Sequence, residues 1–128
     1  MTFRSIKQTT LVKVVMIGLK KSFRRSYYLE FDKQGTIDII NYLRNLNTSY
    51  ALNILHNEAS KEFYIFLDES NENFNLNPKK VELNLDEEEI EYFLYRLEKC
   101  LEDKVFFPAE LCEKKLGKQD ISLYARYL

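Results

Sequence analysis

Residues 80–101, KVELNLDEEEIEYFLYRLEKCL, join a strand pattern to the clearest helix pattern in the chain. Apolar side chains alternate up to Leu85, as they do in a strand with one buried face. Helical spacing begins after Asp86, and Glu89 stands three residues further on, in the arrangement of a reciprocal capping box. The apolar stripe of this helix consists of Ile90, Phe93, Leu94, Leu97 and Leu101. The stretch therefore predicts a domain that combines sheet and helix, with the helix ending near Asp103.

Weaker patterns on either side of this stretch predict the remaining elements. β-Branched, aromatic or alternating residues favour further strands at 9–20, 25–31, 50–55, 62–67 and 121–128. An earlier helix is predicted after a Thr36 cap, because apolar residues recur at helical spacing from Ile39 to Leu46. Residues 70–78 are predicted to form a loop and residues 109–115 a short helical turn, and no internal repeat is visible. We therefore predict an α+β fold in the order ββαβββαβ, with a mainly antiparallel sheet of about six strands and two helices packed on one face.

Length and composition indicate one ordinary domain that spans residues 1–128. The chain has 128 residues, of which 45% are hydrophobic and 30% charged, and this is enough for one core. The apolar run 11–19 is too short for a membrane helix, and the N-terminus lacks the order of a signal peptide. Two cysteines, Cys100 and Cys112, are typical of a reducing compartment. These features predict a cytoplasmic protein with no membrane partner.

The net charge of −1 conceals an uneven distribution. Residues 1–44 carry nine basic and three acidic side chains, residues 45–103 carry five and fourteen, and residues 104–128 carry five and three. A dipolar molecule of this kind steers charged partners. We predict a negative patch that binds a basic protein, although acids at a helix start also stabilise the helix by themselves. The predicted patch comprises Asp68, Glu69, Glu72, Asp86, Glu87, Glu88 and Glu91.

Two further sets of residues are candidates for binding a macromolecule. The first set follows from the enrichment of aromatic residues and arginine in protein interfaces, with core packing as the alternative for its phenylalanines. It consists of Phe106, Phe107, Tyr124 and Arg126. The second set interleaves basic side chains with aromatics and indicates nucleic-acid binding, although a pI of about 5.9 disfavours that function and a solvated hairpin tip is the alternative. It consists of Lys20, Lys21, Arg24 and Arg25.

No pattern in the sequence indicates catalysis, a metal or a cofactor. His56 is the only histidine, and its neighbours Glu58 and Ser60 match no nucleophile motif. The sequence contains no Gly-rich phosphate loop, no Cys-x-x-Cys and no His-Glu-x-x-His. We therefore predict a protein that is not an enzyme, has no catalytic residues and binds neither a cofactor nor a metal.

The whole chain resembles the small immunity proteins that protect bacteria from their own polymorphic or contact-dependent toxins. The features that carry this resemblance are a single α+β domain, an acidic patch, and the segment FFPAEL at residues 106–111 followed by a short terminal strand. The resemblance implies tight binding to one cognate protein toxin, often a nuclease whose basic cleft an acidic surface would cover. The basic first third of the chain departs from this pattern. A nucleic-acid-binding accessory protein and an adaptor or homodimer joined along a sheet edge are the alternatives.

Overall fold

The computed structural model describes residues 16–23, 25–46, 51–103 and 109–128, which form eight strands and two helices. The first half contains β1 (Ile17–Phe23), β2 (Ser26–Phe31), α1 (Lys33–Arg44), β3 (Leu52–His56) and β4 (Ala59–Leu67). The second half contains β5 (Phe74–Leu76), β6 (Lys80–Leu85), α2 (Glu87–Asp103), β7 (Ala109–Leu116) and β8 (Gln119–Tyr127). The predicted strand at residues 9–20 lies in part outside the described residues.

The predicted sheet of about six mainly antiparallel strands with both helices on one face is wrong. The eight strands form one mixed sheet in the order β5-β6-β4-β3-β1-β2-β8-β7, which curves until it nearly closes like a barrel. The pairs β1–β3, β2–β8 and β4–β6 are parallel. A parallel bridge between Asn73 and Lys115 brings the two ends of the sheet together. Local patterns cannot reveal these contacts, because each parallel pair joins segments that are distant in the chain.

Several local predictions are confirmed and others are corrected. The strand at 80–85 and the helix that follows Asp86 and ends at Asp103 are confirmed. The predicted loop at 70–78 contains β5, in which buried Phe74 alternates with exposed Asn75. The predicted helical turn at 109–115 is the strand β7, which pairs with β8 along its length. α1 begins after Asp32, whose carboxylate accepts a hydrogen bond from the Gly35 N–H at 2.7 Å, and is therefore capped one turn before Thr36.

The nearly closed sheet and its two helices consist of two equivalent units, each with the order ββαββ. In each unit the first two strands and the last two strands form antiparallel hairpins. The first and third strands are parallel neighbours, as β1 and β3 in one unit and as β5 and β7 through the Asn73–Lys115 bridge in the other. Two parallel joints of six residue pairs each, β4–β6 and β2–β8, connect the units. The chain therefore contains an internal structural repeat that its sequence does not reveal.

Backbone hydrogen bonds support this equivalence at the level of single residues. The Asp68 N–H donates to the Leu85 carbonyl at 2.9 Å, and the Leu128 N–H donates to the Phe31 carbonyl at 2.9 Å. β2 and β6 share the same burial pattern, in which half-buried and buried positions alternate before three buried residues in a row, and each strand is followed by an aspartate cap. The repeat is hidden in the sequence because many equivalent positions hold chemically different residues.

Buried side chains from both helices and the sheet form one continuous cluster. α1 packs against α2, β2 and β3, and α2 also contacts β7. The largest fully buried side chains include Phe31, Phe63, Phe74 and Phe93. Among the described residues, neither helix has the length and apolar character needed to cross a membrane.

Candidate functional site

The acidic start of α2 is held by a reciprocal pair of hydrogen bonds. The Glu89 N–H donates to Asp86 Oδ1 at 2.7 Å, and the Asp86 N–H donates to Glu89 Oε1 at 2.9 Å. Lys114, which is buried on β7, donates from Nζ to the same Glu89 oxygen at 2.8 Å. The predicted capping box is thus confirmed. The charge of Glu89 is directed inward to Lys114, so this residue does not contribute to a partner surface.

The loop after β4 adds two further carboxylates to this end of the helix. Glu69 Oε2 accepts a hydrogen bond from the Glu87 N–H at 2.9 Å. The backbone of Asp68 is fixed by the bond from its N–H to the Leu85 carbonyl, and its carboxylate accepts from the Ser70 N–H at 3.1 Å. Acids from separate parts of the sequence therefore meet at the N-terminus of α2, where backbone N–H groups that have no acceptor within the helix favour negative charge.

The first three turns of α2 present the exposed part of this surface. Glu87, Glu88 and Glu91 are exposed, and so are Tyr92 and Tyr95, which are 42% and 58% accessible. The tyrosines lie opposite the buried stripe of the helix, a position that the helical spacing already indicated but that we did not predict as a contact. We call this set the acidic surface: Asp68, Glu69, Asp86, Glu87, Glu88, Glu91, Tyr92 and Tyr95.

Glu72 lies in a mixed-charge environment and does not extend the acidic surface. Its carbonyl accepts a hydrogen bond from the Lys115 N–H at 2.8 Å. Glu72 lines a cavity of about 440 Å³ whose other charged residues are Arg25, Glu113, Lys114, Lys115 and Asp120. Three cations offset three carboxylates there, so this cavity lacks the single sign of charge that steers a partner.

Tyr124 and Arg126, predicted to contact a partner, are engaged within the molecule. Tyr124 stacks on Tyr28 with ring centroids 5.2 Å apart, and the Arg126 guanidinium lies 3.9 Å from the centroid of the Tyr28 ring. Arg126 Nε also lies 3.3 Å from Glu30 Oε2, an ion pair that lacks hydrogen-bond geometry. Lys20 Nζ approaches the other oxygen of Glu30 at 3.8 Å. These contacts tie β1, β2 and β8 together on one face of the sheet.

The predicted basic cluster is divided between the two faces of β1. Lys20 pairs with Tyr28 and Lys21 with Tyr27 in the antiparallel register, so their side chains leave the strand on opposite faces. Arg25 is exposed in the turn between β1 and β2, where its φ is 72°. Three predicted residues lie outside the described part of the chain: Arg24, Phe106 and Phe107.

His56 is the last residue of β3 and is buried. Its Nδ1 lies 2.8 Å from the Lys61 ammonium, which makes Lys61 the donor and His56 a neutral acceptor. Burial, and then the positive charge of Lys61, lower the pKa of His56. Ser60 pairs with Leu55 and so projects from the opposite face of the sheet. The geometry therefore does not bring a serine nucleophile to this imidazole.

Both cysteines are free and buried. Burial raises the pKa of Cys100, whose thiol interacts with Thr36 of the other helix. Burial also raises the pKa of Cys112 to about 12. A thiol that stays protonated is a poor nucleophile, so neither cysteine is arranged for covalent chemistry.

Within the described ranges, no group of three or more histidine, cysteine or acidic residues is arranged to hold a metal ion. The acidic surface is the candidate site that we consider further, because the fold brings its exposed carboxylates together from two segments of this part of the chain. No protein-family model, curated protein sequence or solved structure matches the chain.

Proposed function

We propose that this protein is a non-catalytic binding module that acts in the cytoplasm and holds a basic protein partner against its acidic surface. The observation that carries this proposal is the meeting of the β4–β5 loop with the start of α2, through the hydrogen bond between Glu69 and the Glu87 N–H. This contact fixes negative charge from two segments in one place before any partner arrives. A preorganised surface loses less conformational entropy on binding than a flexible one.

The acidic surface supplies two kinds of interaction. The exposed carboxylates of Glu87, Glu88 and Glu91 raise the rate of encounter with a basic partner. Tyr92 and Tyr95 supply rigid apolar area with a polar tip, and tyrosine is enriched among the residues that dominate interface energies. The carboxylates therefore guide the partner, and the tyrosines retain it.

The partner that fits this proposal best is a protein toxin with a basic cleft, such as a nuclease. This choice rests on the resemblance to bacterial immunity proteins and on the sign of the surface charge. Binding alone would cover such a cleft and prevent access of an anionic substrate. The proposed protein is thus a stoichiometric inhibitor.

The experiment compares two double charge reversals in the same helix. Glu88→Lys with Glu91→Lys alters the acidic surface, and Glu102→Lys with Asp103→Lys makes the same change of net charge at the far end of α2. The binding partner is first isolated from the source cells and produced in pure form. We expect the first variant to associate about tenfold more slowly at low salt, with a difference that shrinks as salt increases. The second variant should associate at nearly the wild-type rate.

Two results would contradict the proposal. Equal slowing by both variants would show that net charge alone matters and that the acidic surface has no special role. Turnover of a substrate by the pure protein would contradict the non-catalytic assignment.

The nucleic-acid alternative has weaker support. Lys20 and Lys21 point to opposite faces, and Tyr28, the aromatic residue beside Lys20, is already stacked by Tyr124 and Arg126. A ring in such contacts offers little free area to a nucleotide base.

A further inference from the structure

Three basic side chains on the consecutive strands β1, β3 and β4 lie at one end of the inner face of the sheet. This face is the side on which Leu19 and Ile54 are buried. Lys21 alternates with Leu19 along β1, and Lys61 pairs with Ile54 across the β3–β4 hairpin, so both lysines leave their strands on the inner face. His56, the end of β3, pairs with Leu19 in parallel register. We call this set the basic corner: Lys21, His56 and Lys61.

The second unit of the fold holds apolar residues at all the equivalent positions. The antiparallel registers of the first and the last hairpin align the two units residue by residue. This alignment matches Lys21 with Leu76, His56 with Leu116, and Lys61 with Ile121. The scaffold therefore does not need a basic side chain at these places. Their common change from apolar to basic in one unit points to a ligand of negative charge.

Lys61 has an imidazole as its partner. Lys61 Nζ lies 2.8 Å from His56 Nδ1. An ammonium group has further N–H groups beyond the one that this contact uses, and these can donate to another acceptor. His56 accepts at Nδ1, so the hydrogen of its neutral ring is on Nε2, which is a further donor. The pair therefore offers hydrogen-bond donors and no additional acceptor.

The lysines of the basic corner have no carboxylate partner within the described ranges. The ion pairs there include neither Lys21 nor Lys61. Lys114, the buried lysine of the second unit, is by contrast paired with Glu89 at 2.8 Å. Glu58 in the neighbouring turn is exposed, so water screens its charge. The basic corner thus holds two ammonium groups whose charge no ion pair offsets in this part of the structure.

We propose that the basic corner binds the phosphate group of a small anionic ligand. A phosphate group carries up to two negative charges and several acceptor oxygens, which match two ammonium groups and an imidazole N–H. A carboxylate carries one charge and would leave one lysine unmatched. Lys21 is exposed and Lys61 is half-buried, so the ligand can enter from solvent. This site is separate from the acidic surface and does not depend on the proposed function.

The test titrates the full chain with inorganic phosphate and follows the imidazole signals of His56 by NMR. His56 is the only histidine, so its ring signals are identified directly. We expect a saturable shift of these signals. Phosphate should also raise the pKa of His56, which burial and Lys61 hold below its ordinary value, because an anion favours the imidazolium form. Acetate at the same ionic strength is the control and should bind at least about tenfold more weakly, since it carries less charge.

Two variants give the first unit the residues that the second unit already has. We expect Lys21→Leu and Lys61→Ile each to weaken phosphate binding by about tenfold, because each removes a charged hydrogen-bond donor. Lys21 is exposed, so its replacement tests the proposal even if the variant at half-buried Lys61 does not fold. Lys118→Ala removes the same charge from the exposed turn between β7 and β8 and should leave binding unchanged at about 0.15 M salt.

Four results would overturn the proposal. The first is the lack of a saturable response of His56 to millimolar phosphate. Equal effects of Lys21→Leu and Lys118→Ala would show that only the net charge matters. Equal binding of acetate and phosphate would remove the selectivity for phosphate. Binding of an oligothymidylate at the same residues, with no response to inorganic phosphate, would assign the basic corner to nucleic acid instead.

Discussion

Asp86 and Glu89 exchange hydrogen bonds across the first turn of α2, with each backbone N–H donating to the carboxylate of the other residue. Glu89 at the same time accepts a hydrogen bond from buried Lys114 of β7. One carboxylate therefore links the start of the helix to the sheet. The position and stability of the acidic surface depend on this link.

Removal of the helix cap should destabilise the fold by a modest and measurable amount. We expect Asp86→Ala to lower the free energy of unfolding by about 1 kcal/mol, because the Glu89 N–H loses its acceptor. Asp32→Ala, the equivalent change at α1, should have a similar effect, since Asp32 accepts from the Gly35 N–H. Urea denaturation measures both. Glu88→Ala, an exposed change in the same turn, is the control and should stay within about 0.5 kcal/mol of the wild type.

Removal of one partner of the buried Glu89–Lys114 ion pair should destabilise the fold more than removal of both partners. Lys114 has a side-chain exposure of 5%, so Glu89→Gln leaves an ammonium group buried without a carboxylate. We expect the free energy of unfolding to fall by about 3 kcal/mol. The pairs His56–Ala59 and Leu116–Gln119 close the last hairpin of each unit, so Lys114 in the second unit corresponds to buried Ile54 in the first. Adding Lys114→Ile should therefore restore most of the lost stability. Denaturant titration of both variants checks this, and a double variant no more stable than the single one would contradict it.

The stability of the fold should decrease on mild acidification because of His56. The folded state lowers the pKa of His56 below its ordinary value of 6.5, so the unfolded state binds the proton more readily. The contribution of His56 is therefore fully present above that value and is lost as the pH falls through the folded pKa. We expect His56→Leu to remove this part of the pH dependence, and the equivalent position in the second unit does hold Leu116. Urea midpoints at several pH values below about 7 measure the difference, and an unchanged pH profile in the variant would contradict the assignment.

The cluster of Tyr28, Tyr124 and Arg126 should act on stability rather than on partner binding. We expect Arg126→Ala to lower the free energy of unfolding by about 1 kcal/mol, because the cation over the Tyr28 ring and the ion pair with Glu30 are both lost. A double-mutant cycle with Tyr28→Leu should give a coupling of about 0.5–1 kcal/mol. A coupling near zero would show that the ring and the guanidinium do not interact. The association rate of the isolated partner should be the same for Arg126→Ala and the wild type.

The locally encoded elements were predictable because their signals are complete within a few residues. Asp86 and Glu89 mark the start of a helix, and the apolar residues from Ile90 onwards recur at helical spacing. The structure confirms that helix. β5 was missed because a strand of three residues contains too few alternations to stand out from a polar loop. The nearly closed sheet was not predictable from local patterns. Its parallel strand pairs, such as the one that places Tyr28 beside Tyr124, connect segments that are distant in the chain and have no local signature.

The candidate site was predictable in part for the same reason. Glu87, Glu88 and Glu91 share a helix whose exposed side follows from its period, so their common location was foreseeable. The contribution of Glu69 depends on the path of a loop, and that path is fixed only in the folded chain. Sequence spacing cannot show that Tyr28 and Glu30 lie beside Tyr124 and Arg126, so the contacts of these two residues within the molecule were not predictable.

Because the two ββαββ units have the same order of elements, a substitution in one unit can be compared with a substitution at the equivalent position of the other unit. A perturbation applied at His56 can be compared with one at Leu116, and one at Asp86 with one at Asp32, under identical solvent, concentration and temperature. Effects common to both members of a pair belong to the shared scaffold. Effects confined to one member belong to the residues in which the two units differ.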